Sequence, residues 1–235
     1  MASPLSNHQT LAASQAEATR VTAFLQKVYG WMCVGLAITA AVAYAVAGSP
    51  ALIQTIASNQ LLFWAVLLAP LGFVLYIRAK VDTLAPGTAA ALFATYAGLN
   101  GITFAFVLLA YTGASIASTF LTTATMFGAL ALYGTITRRS LAGVGQFAFM
   151  GLIGVLIASI VGIFWQNDMF QFILSICGVV VFTCLTAYRA QQLRAMALAL
   201  PDGQVGTYAV VGALGLYLAF INLFLFMLRL FGRRR

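Results

Sequence analysis

Polar side chains inside the apolar parts of the sequence are the first candidates for chemistry. Four hydroxyl residues recur at offsets of 0, 3, 4 and 7: Ser115, Ser118, Thr119 and Thr122. Residues at these offsets share one face of an α-helix, so the spacing predicts a hydroxyl stripe that points into a helix bundle. Two interpretations stay open: close packing with hydroxyls bonded to carbonyls one turn earlier, or a wet pathway lined by hydroxyls.

Two amides and one tyrosine, Tyr188, extend this set of candidate pathway or gate residues. Asn100 and Asn222 lie in apolar sequence, where each amide either bonds a neighbouring helix, a contact of about 0.6–2 kcal/mol, or serves as a ligand or gate. Tyr188 and Arg189 end another apolar stretch. Because a charge at the bilayer centre is unfavourable, we expect Arg189 to snorkel to the cytoplasmic interface.

Acidic and imidazole groups are placed where they offer little catalysis. All four acids, Glu17, Asp82, Asp168 and Asp202, lie in the tail or in loops, and the one histidine is His8 in the N-terminal tail. Metalloprotease, phosphate-loop and intramembrane aspartyl protease patterns are missing. We therefore expect no enzyme, no metal site and no cofactor.

The composition of the chain indicates whether it is surrounded by water or by lipid. Of 235 residues, 63% are hydrophobic and only 7% are charged, against roughly a quarter charged in a soluble domain. A soluble fold is excluded, and the bilayer is the expected surrounding. The net charge of +8 indicates membrane orientation rather than nucleic-acid binding.

Seven charge-free stretches are long enough to cross a bilayer as helices, which takes about 20 residues. We call them spans one to seven, and they lie near 28–47, 60–77, 88–110, 115–136, 143–165, 170–187 and 206–228. The predicted fold class is an all-α polytopic membrane protein with seven transmembrane helices in residues 28–228. A cytoplasmic tail, 1–27, which is loose or forms a short surface helix, precedes them, and a basic tail, 229–235, follows.

Basic residues give the orientation. With the spans numbered as above, eight of them fall on one side: Arg20, Lys27, Arg78, Lys80, Arg138, Arg139, Arg189 and Arg194. The connections on the other side, 48–59, 111–114 and 166–169, contain neither Lys nor Arg. Since basic loops stay in the cytoplasm, the N-terminus is predicted to be cytoplasmic.

The last four arginines conflict with this rule. Seven full crossings place Arg229, Arg233, Arg234 and Arg235 on the outer side, whereas the rule favours the inner side. Either span seven crosses, or it enters the membrane and returns. We favour crossing because 209–228 is long enough to span.

Four phrases in order resemble one family: YTGASI (111–116), MFGAL (126–130), FMGLIG (149–154) and GLYLAFINLF (215–224). Together they resemble the Bax inhibitor-1 family, also called the transmembrane Bax-inhibitor-motif family, in its bacterial inner-membrane branch. The likeness runs from about residue 26 to 232. It implies seven helices with the last one central, and a role in stress response.

The resemblance also implies a mechanism, from which this sequence departs. Family members are described as pH-sensitive calcium leak channels with two aspartates that form a proton-sensitive pair. They usually read Tyr-Asp-Thr-Gln where this sequence reads YRAQ at 188–191, and they often carry an aspartate where Ala219 stands. Calcium prefers carboxylate ligands, and a shared proton needs two acids close together. Arg189 and Ala219 supply neither.

Two functions follow as hypotheses. The first is a calcium or cation leak channel of the family type without its aspartate pair, with weak flux and little pH dependence. The second is a regulator that does not transport ions and binds another membrane complex, since bacterial relatives are described as partners of a membrane-bound AAA protease.

Overall fold

The computed structural model of the protein describes residues 4–165, 167–201 and 204–235, with side chains from residue 15 onward except at positions 78 and 82. The described helices are α1 Pro4–Ala47, α2 Pro50–Ser58, α3 Gln60–Ala79, α4 Pro86–Ala110, α5 Gly113–Ile136, α6 Ala142–Phe164, α7 Asp168–Ala199 and α8 Val205–Phe231. A single 3₁₀ turn, Val81–Thr83, lies between α3 and α4. Across the described ranges, the β-structure consists of one isolated bridge between Tyr111 and Arg234.

Seven of these helices are long and apolar enough to cross a membrane, which confirms the predicted fold class. The short helix α2 was not predicted. It begins with Pro50 in its first turn, where a proline costs no hydrogen bond. Asn59 then separates it from α3 and caps α3, since its side-chain oxygen accepts from the backbone N–H groups of Leu61 and Leu62 at 3.1 and 3.2 Å.

The segment predicted as a loose tail or a short surface helix is helical from Pro4 onward, and this helix is continuous with the first span. Alanine recurs through it, and alanine has the highest helix propensity. Arg20 also anchors this part of α1, because its guanidinium donates to the carbonyl of Leu200.

Helix α8 is the centre of the bundle, as the resemblance implies. It packs against α1, α4, α5 and α7, whereas α6 packs mainly against α7 and α3 against α4. In its most apolar stretch 72% of the residues are buried, against 11–39% in the other six spans. Helix α8 therefore makes the contacts that hold α1, α4, α5 and α7 together.

The end of the chain settles how α8 runs. Beyond Gly232, the backbone N–H of Thr112 donates to the carbonyl of Arg233 at 3.1 Å, and that of Arg235 donates to Ala110 at 3.0 Å. The last residues thus lie beside the α4–α5 connection. Helix α8 crosses the whole bundle, and the four C-terminal arginines lie at the end opposite the loop that carries Arg138 and Arg139.

Candidate site between Arg189 and the last helix

The guanidinium of Arg189 packs against α8 at Gly215. Nη1 of this half-buried residue is 2.7 Å from the position that a Cβ on Gly215 would occupy. Any side chain at position 215 would displace the guanidinium, so the glycine provides the space that Arg189 fills. This position is ten residues into α8, or about 15 Å along its axis. The guanidinium therefore packs along the α7–α8 contact, on the side of the bundle where the neighbouring Gln191 binds the α5–α6 connection.

Ala219 lies on the same face of α8. Gly215 and Ala219 are four residues apart, a spacing that places them one above the other on a helix, and Ala219 is buried. The two positions at which the resemblance implies aspartates thus face one α7–α8 interface. In this protein a guanidinium and a methyl group stand there.

Arg189 borders two cavities in the C-terminal half of α7, which we call the Arg189 cavities. One, of about 310 Å³, lies between α7, α8 and the 3₁₀ turn, and includes Val81, Gln192, Tyr208 and Gly215 among its lining residues. The other, of about 600 Å³, lies between α6 and α7, and includes Gly145, Gln146, Tyr188 and Gln192. Arg189 is the charged group among the described lining residues of both. Amide and phenol groups supply the other polar contacts.

The residues around Arg189 fix the end of α7. The ring of Tyr188 packs where a Cβ on Gly145 would lie, and its hydroxyl accepts from the side-chain amide of Gln192 at 2.8 Å. Gln191 accepts from the backbone N–H of Leu141 and donates to the carbonyl of Arg139, both at 2.8 Å. Gln191 binds the α5–α6 connection and Tyr188 packs against α6. These contacts fix the rotation of α7 that turns Arg189 toward α8.

One polar contact deep in the bundle was missed from the sequence. Tyr217 of α8 is fully buried, and its hydroxyl lies 2.7 Å from Oγ1 of Thr39 in α1. That Oγ1 is also 3.0 Å from the carbonyl of Ala97 in α4. Rings of Phe93 and Tyr96 meet Tyr217 edge-on at 5.7 Å each. The contact joins α1, α4 and α8 and fills the space between them.

The position of Tyr217 within the last span could have identified this contact from the sequence. Tyrosine and tryptophan in membrane proteins concentrate at the two interfaces, whereas Tyr217 lies near the middle of the 27-residue helix α8. A tyrosine at that depth needs a hydrogen-bond partner, because lipid provides none.

Comparison with known proteins shows the family of the chain. The family model described as "Inhibitor of apoptosis-promoting Bax1" matches residues 21–235.

The chain belongs to the Bax inhibitor-1 family.

Among its relatives is the inner membrane protein YbhL of Escherichia coli strain K12, 41% identical over 215 residues, with 90% of this chain and 92% of the relative covered. An uncharacterized protein of Borreliella burgdorferi is 41% identical over 214 residues, with the same coverage of 90% and 92%. One from Caulobacter vibrioides is 39% identical over 223 residues, covering 90% of this chain and 89% of the relative.

In this Bax inhibitor-1 family protein, the predicted hydroxyl stripe does not point into the bundle as a unit. Ser115 and Thr119 are buried, but Ser118 and Thr122 are exposed. The exposed pair donate to the carbonyls of Ser115 and Ser118 in their own helix, at 3.2 and 2.9 Å, which satisfies each hydroxyl without a neighbouring helix. The buried face of α5 continues instead through Thr123.

Ser115 has a different role from that of a pathway residue. Its Oγ accepts from the backbone N–H of Arg233 and from the hydroxyl of Thr112, each at 3.0 Å. It therefore holds the C-terminal residues against the α4–α5 connection.

The two asparagines also lie apart from Arg189. Asn100 donates to the carbonyl of Tyr96 at 3.1 Å, and Asn222 to that of Leu218 at 2.8 Å. Both bonds stay within one helix, so the structure joins neither side-chain amino group to a neighbouring helix. Among the described lining residues of the two Arg189 cavities, Tyr188 is the only predicted pathway or gate residue.

Proposed function

We propose that the protein is an ion leak pathway of the Bax inhibitor-1 type, in a bacterial inner membrane with its N-terminus in the cytoplasm. The cation flux through it is weak and does not respond to pH. The observation that carries the proposal is the guanidinium of Arg189 against Gly215, one helical turn from Ala219. The interface where the family resemblance implies two acids holds a fixed positive charge instead.

The pathway is closed in this conformation. Cavities border α7 and α8 near both ends of their contact, one around Arg189 and one beside Ser175. Ser175 and Arg189 are fourteen positions apart in α7, which is about 21 Å of helix. The rings of Phe182 and Phe226 stack across this stretch with their centroids 5.8 Å apart. Opening requires α7 to move relative to α8.

Weak calcium flux follows from the chemistry of the interface. Calcium takes six to eight oxygen ligands and favours carboxylates, whereas Arg189 presents a positive charge that repels cations. Among the described residues, no group of three or more His, Cys, Asp or Glu is placed to hold a metal ion. A proton-sensitive response also needs two acids that share a proton.

Calcium flux into proteoliposomes tests the proposal. The wild type should give a small flux above that of empty vesicles, with the same value from pH 6 to pH 8. The variant Arg189→Asp with Ala219→Asp should give a larger flux that changes over this range, because its two new carboxyls face one interface. Arg189→Asp alone leaves the buried Ala219 in place, and should raise the flux without a pH response.

A matched control separates position from charge. Arg139→Asp with Ala219→Asp makes the same two types of substitution, but Arg139 is exposed in the α5–α6 connection. It should give no pH response, because only one of its two new carboxyls faces the α7–α8 interface. Wild-type flux equal to that of empty vesicles at every pH, or equal responses of the two double variants, would overturn the proposal.

A second function, binding to another membrane complex, has one observation in its favour. Between α6 and α7 lies an apolar groove of about 460 Å³ whose lining includes Gly151, Gly154, Ala158 and Cys177. Small residues let a further transmembrane helix approach closely. Crosslinking in native membranes, followed by identification of the products, tests this function, and failure to recover a stable partner would contradict it.

A further inference from the structure

Four arginines gather at the end of α8 that lies opposite Arg138 and Arg139. We call them the arginine cluster: Arg229, Arg233, Arg234 and Arg235. Their backbone is held in place, since the last residues pair with Ala110 and Thr112, and the N–H of Arg233 donates to Ser115. Their side chains are exposed. The cluster is thus a fixed basic patch.

A cavity of about 720 Å³ lies between the arginine cluster and the α6–α7 connection. Arg229 and Arg234 border it from one side, and Asn167, Asp168, Gln171 and Ser175 from the other. Two guanidinium groups and one carboxylate give the described lining a net charge of +1. Arg233 and Arg235 add positive charge next to it.

The polar groups of the lining are already arranged by the fold. Gln171 donates to the carbonyl of Gly162 at 3.1 Å, and Ser175 donates to that of Gln171 at 2.7 Å. Arg229 packs over the ring of Phe226 at 5.6 Å. Arg229 and Arg234 line the cavity together with Asp168, and the described residues show no ion pair between these arginines and Asp168.

Large exposed side chains lie at the ends of the helices that border the cavity. Phe164, Trp165 and Phe231, at the ends of α6 and α8, are all more than half exposed, at 86%, 63% and 70%. Tryptophan in membrane proteins concentrates at the boundary between hydrocarbon and water. Trp165 and the ends of two spanning helices therefore favour a position of the cavity close to the lipid headgroups.

We propose that this cavity binds the phosphate headgroup of an anionic phospholipid from the surrounding bilayer. A guanidinium presents a planar set of donors that matches two phosphate oxygens. Arginines near a membrane surface each favour anionic lipid, whereas a zwitterionic headgroup carries its own cation. Bound lipid also gives a physical role to the arginines that oppose the positive-inside rule.

Lipid titration of the purified full-length chain tests the proposal. Native mass spectrometry in detergent would count bound phosphatidylglycerol and phosphatidylcholine at increasing lipid concentration. The wild type should bind phosphatidylglycerol preferentially. Arg229→Gln with Arg234→Gln should weaken that binding, by about fivefold for each arginine removed. Arg229→Lys with Arg234→Lys keeps the charge and should retain part of the preference.

The control is Arg138→Gln with Arg139→Gln, two exposed arginines at the other end of the bundle, which should bind phosphatidylglycerol like the wild type. Unchanged melting temperatures in lipid-free detergent would show that the variants are folded. Equal binding of the two lipids by the wild type, equal losses in test and control variants, or full competition by inorganic phosphate would each overturn the assignment to a phospholipid.

Discussion

At the scale of single residues, this protein differs from what its family resemblance implies through one guanidinium and one methyl group. The sequence identifies Arg189 and Ala219 as replacements for acids, but not where the arginine side chain lies. That depends on Gly215, which is 26 positions away along the chain. Only a glycine there leaves room for the guanidinium inside the α7–α8 contact.

The Tyr217 hydroxyl gives a prediction at this scale. Tyr217→Phe should lower the free energy of unfolding by about 1 kcal/mol, because one buried hydrogen bond to Thr39 is lost while the ring remains. Thermal unfolding in detergent measures the change. Tyr44→Phe is the control, since Tyr44 is 81% exposed, and it should melt like the wild type. Equal melting of both variants would show that the hydroxyl contributes nothing.

At the scale of helices, the number of spans could be predicted but their rotation could not. A membrane helix must be long, apolar and free of charge, and these properties are visible in the sequence. Which face of α5 is buried depends on its neighbours α7 and α8. A hydroxyl that donates to its own helix backbone can lie on the buried or on the exposed face of the helix. The spacing of Ser118 and Thr122 therefore could not show that they are exposed.

The crossing of α5 and α7 gives the prediction at this scale. A Cβ on Gly134 would lie 2.1 Å from the carbonyl oxygen of Ala187, and backbone cannot turn aside as a side chain can. Gly134→Ala should therefore destabilise the fold by about 1–3 kcal/mol, as overpacking does. Gly128→Ala in the same helix is the control.

Gly128 has nothing within 4 Å of the position its Cβ would take, so alanine there should be neutral or stabilise the helix by up to about 1 kcal/mol. Unfolding of both variants by denaturing detergent, followed by circular dichroism, measures the difference. If Gly134→Ala were as stable as Gly128→Ala, the two helices would not approach as closely as described.

At the scale of the whole molecule, both ends of the bundle carry basic residues, but only one end follows the positive-inside rule. One end carries the basic loops that the positive-inside rule describes, and the other carries the arginine cluster. The sequence left two paths for the last span, because length favours a crossing and charge opposes it. Packing decides between them: buried residues of α8 extend from Thr207 to Leu228, and a helix that turned back could not reach Tyr111, which pairs with Arg234.

Labelling of single cysteines tests this arrangement in the cell. In a variant without the native cysteines, Ser140→Cys reports the basic end, and Ser58→Cys and Arg235→Cys report the opposite end; all three positions are exposed. An impermeant maleimide added to intact spheroplasts should label Ser58→Cys and Arg235→Cys, and should label Ser140→Cys only after the membrane is opened. Basic loops hold their end in the cytoplasm, so the arginine cluster should face outward. Labelling of Arg235→Cys only after permeabilisation would contradict a full crossing by α8.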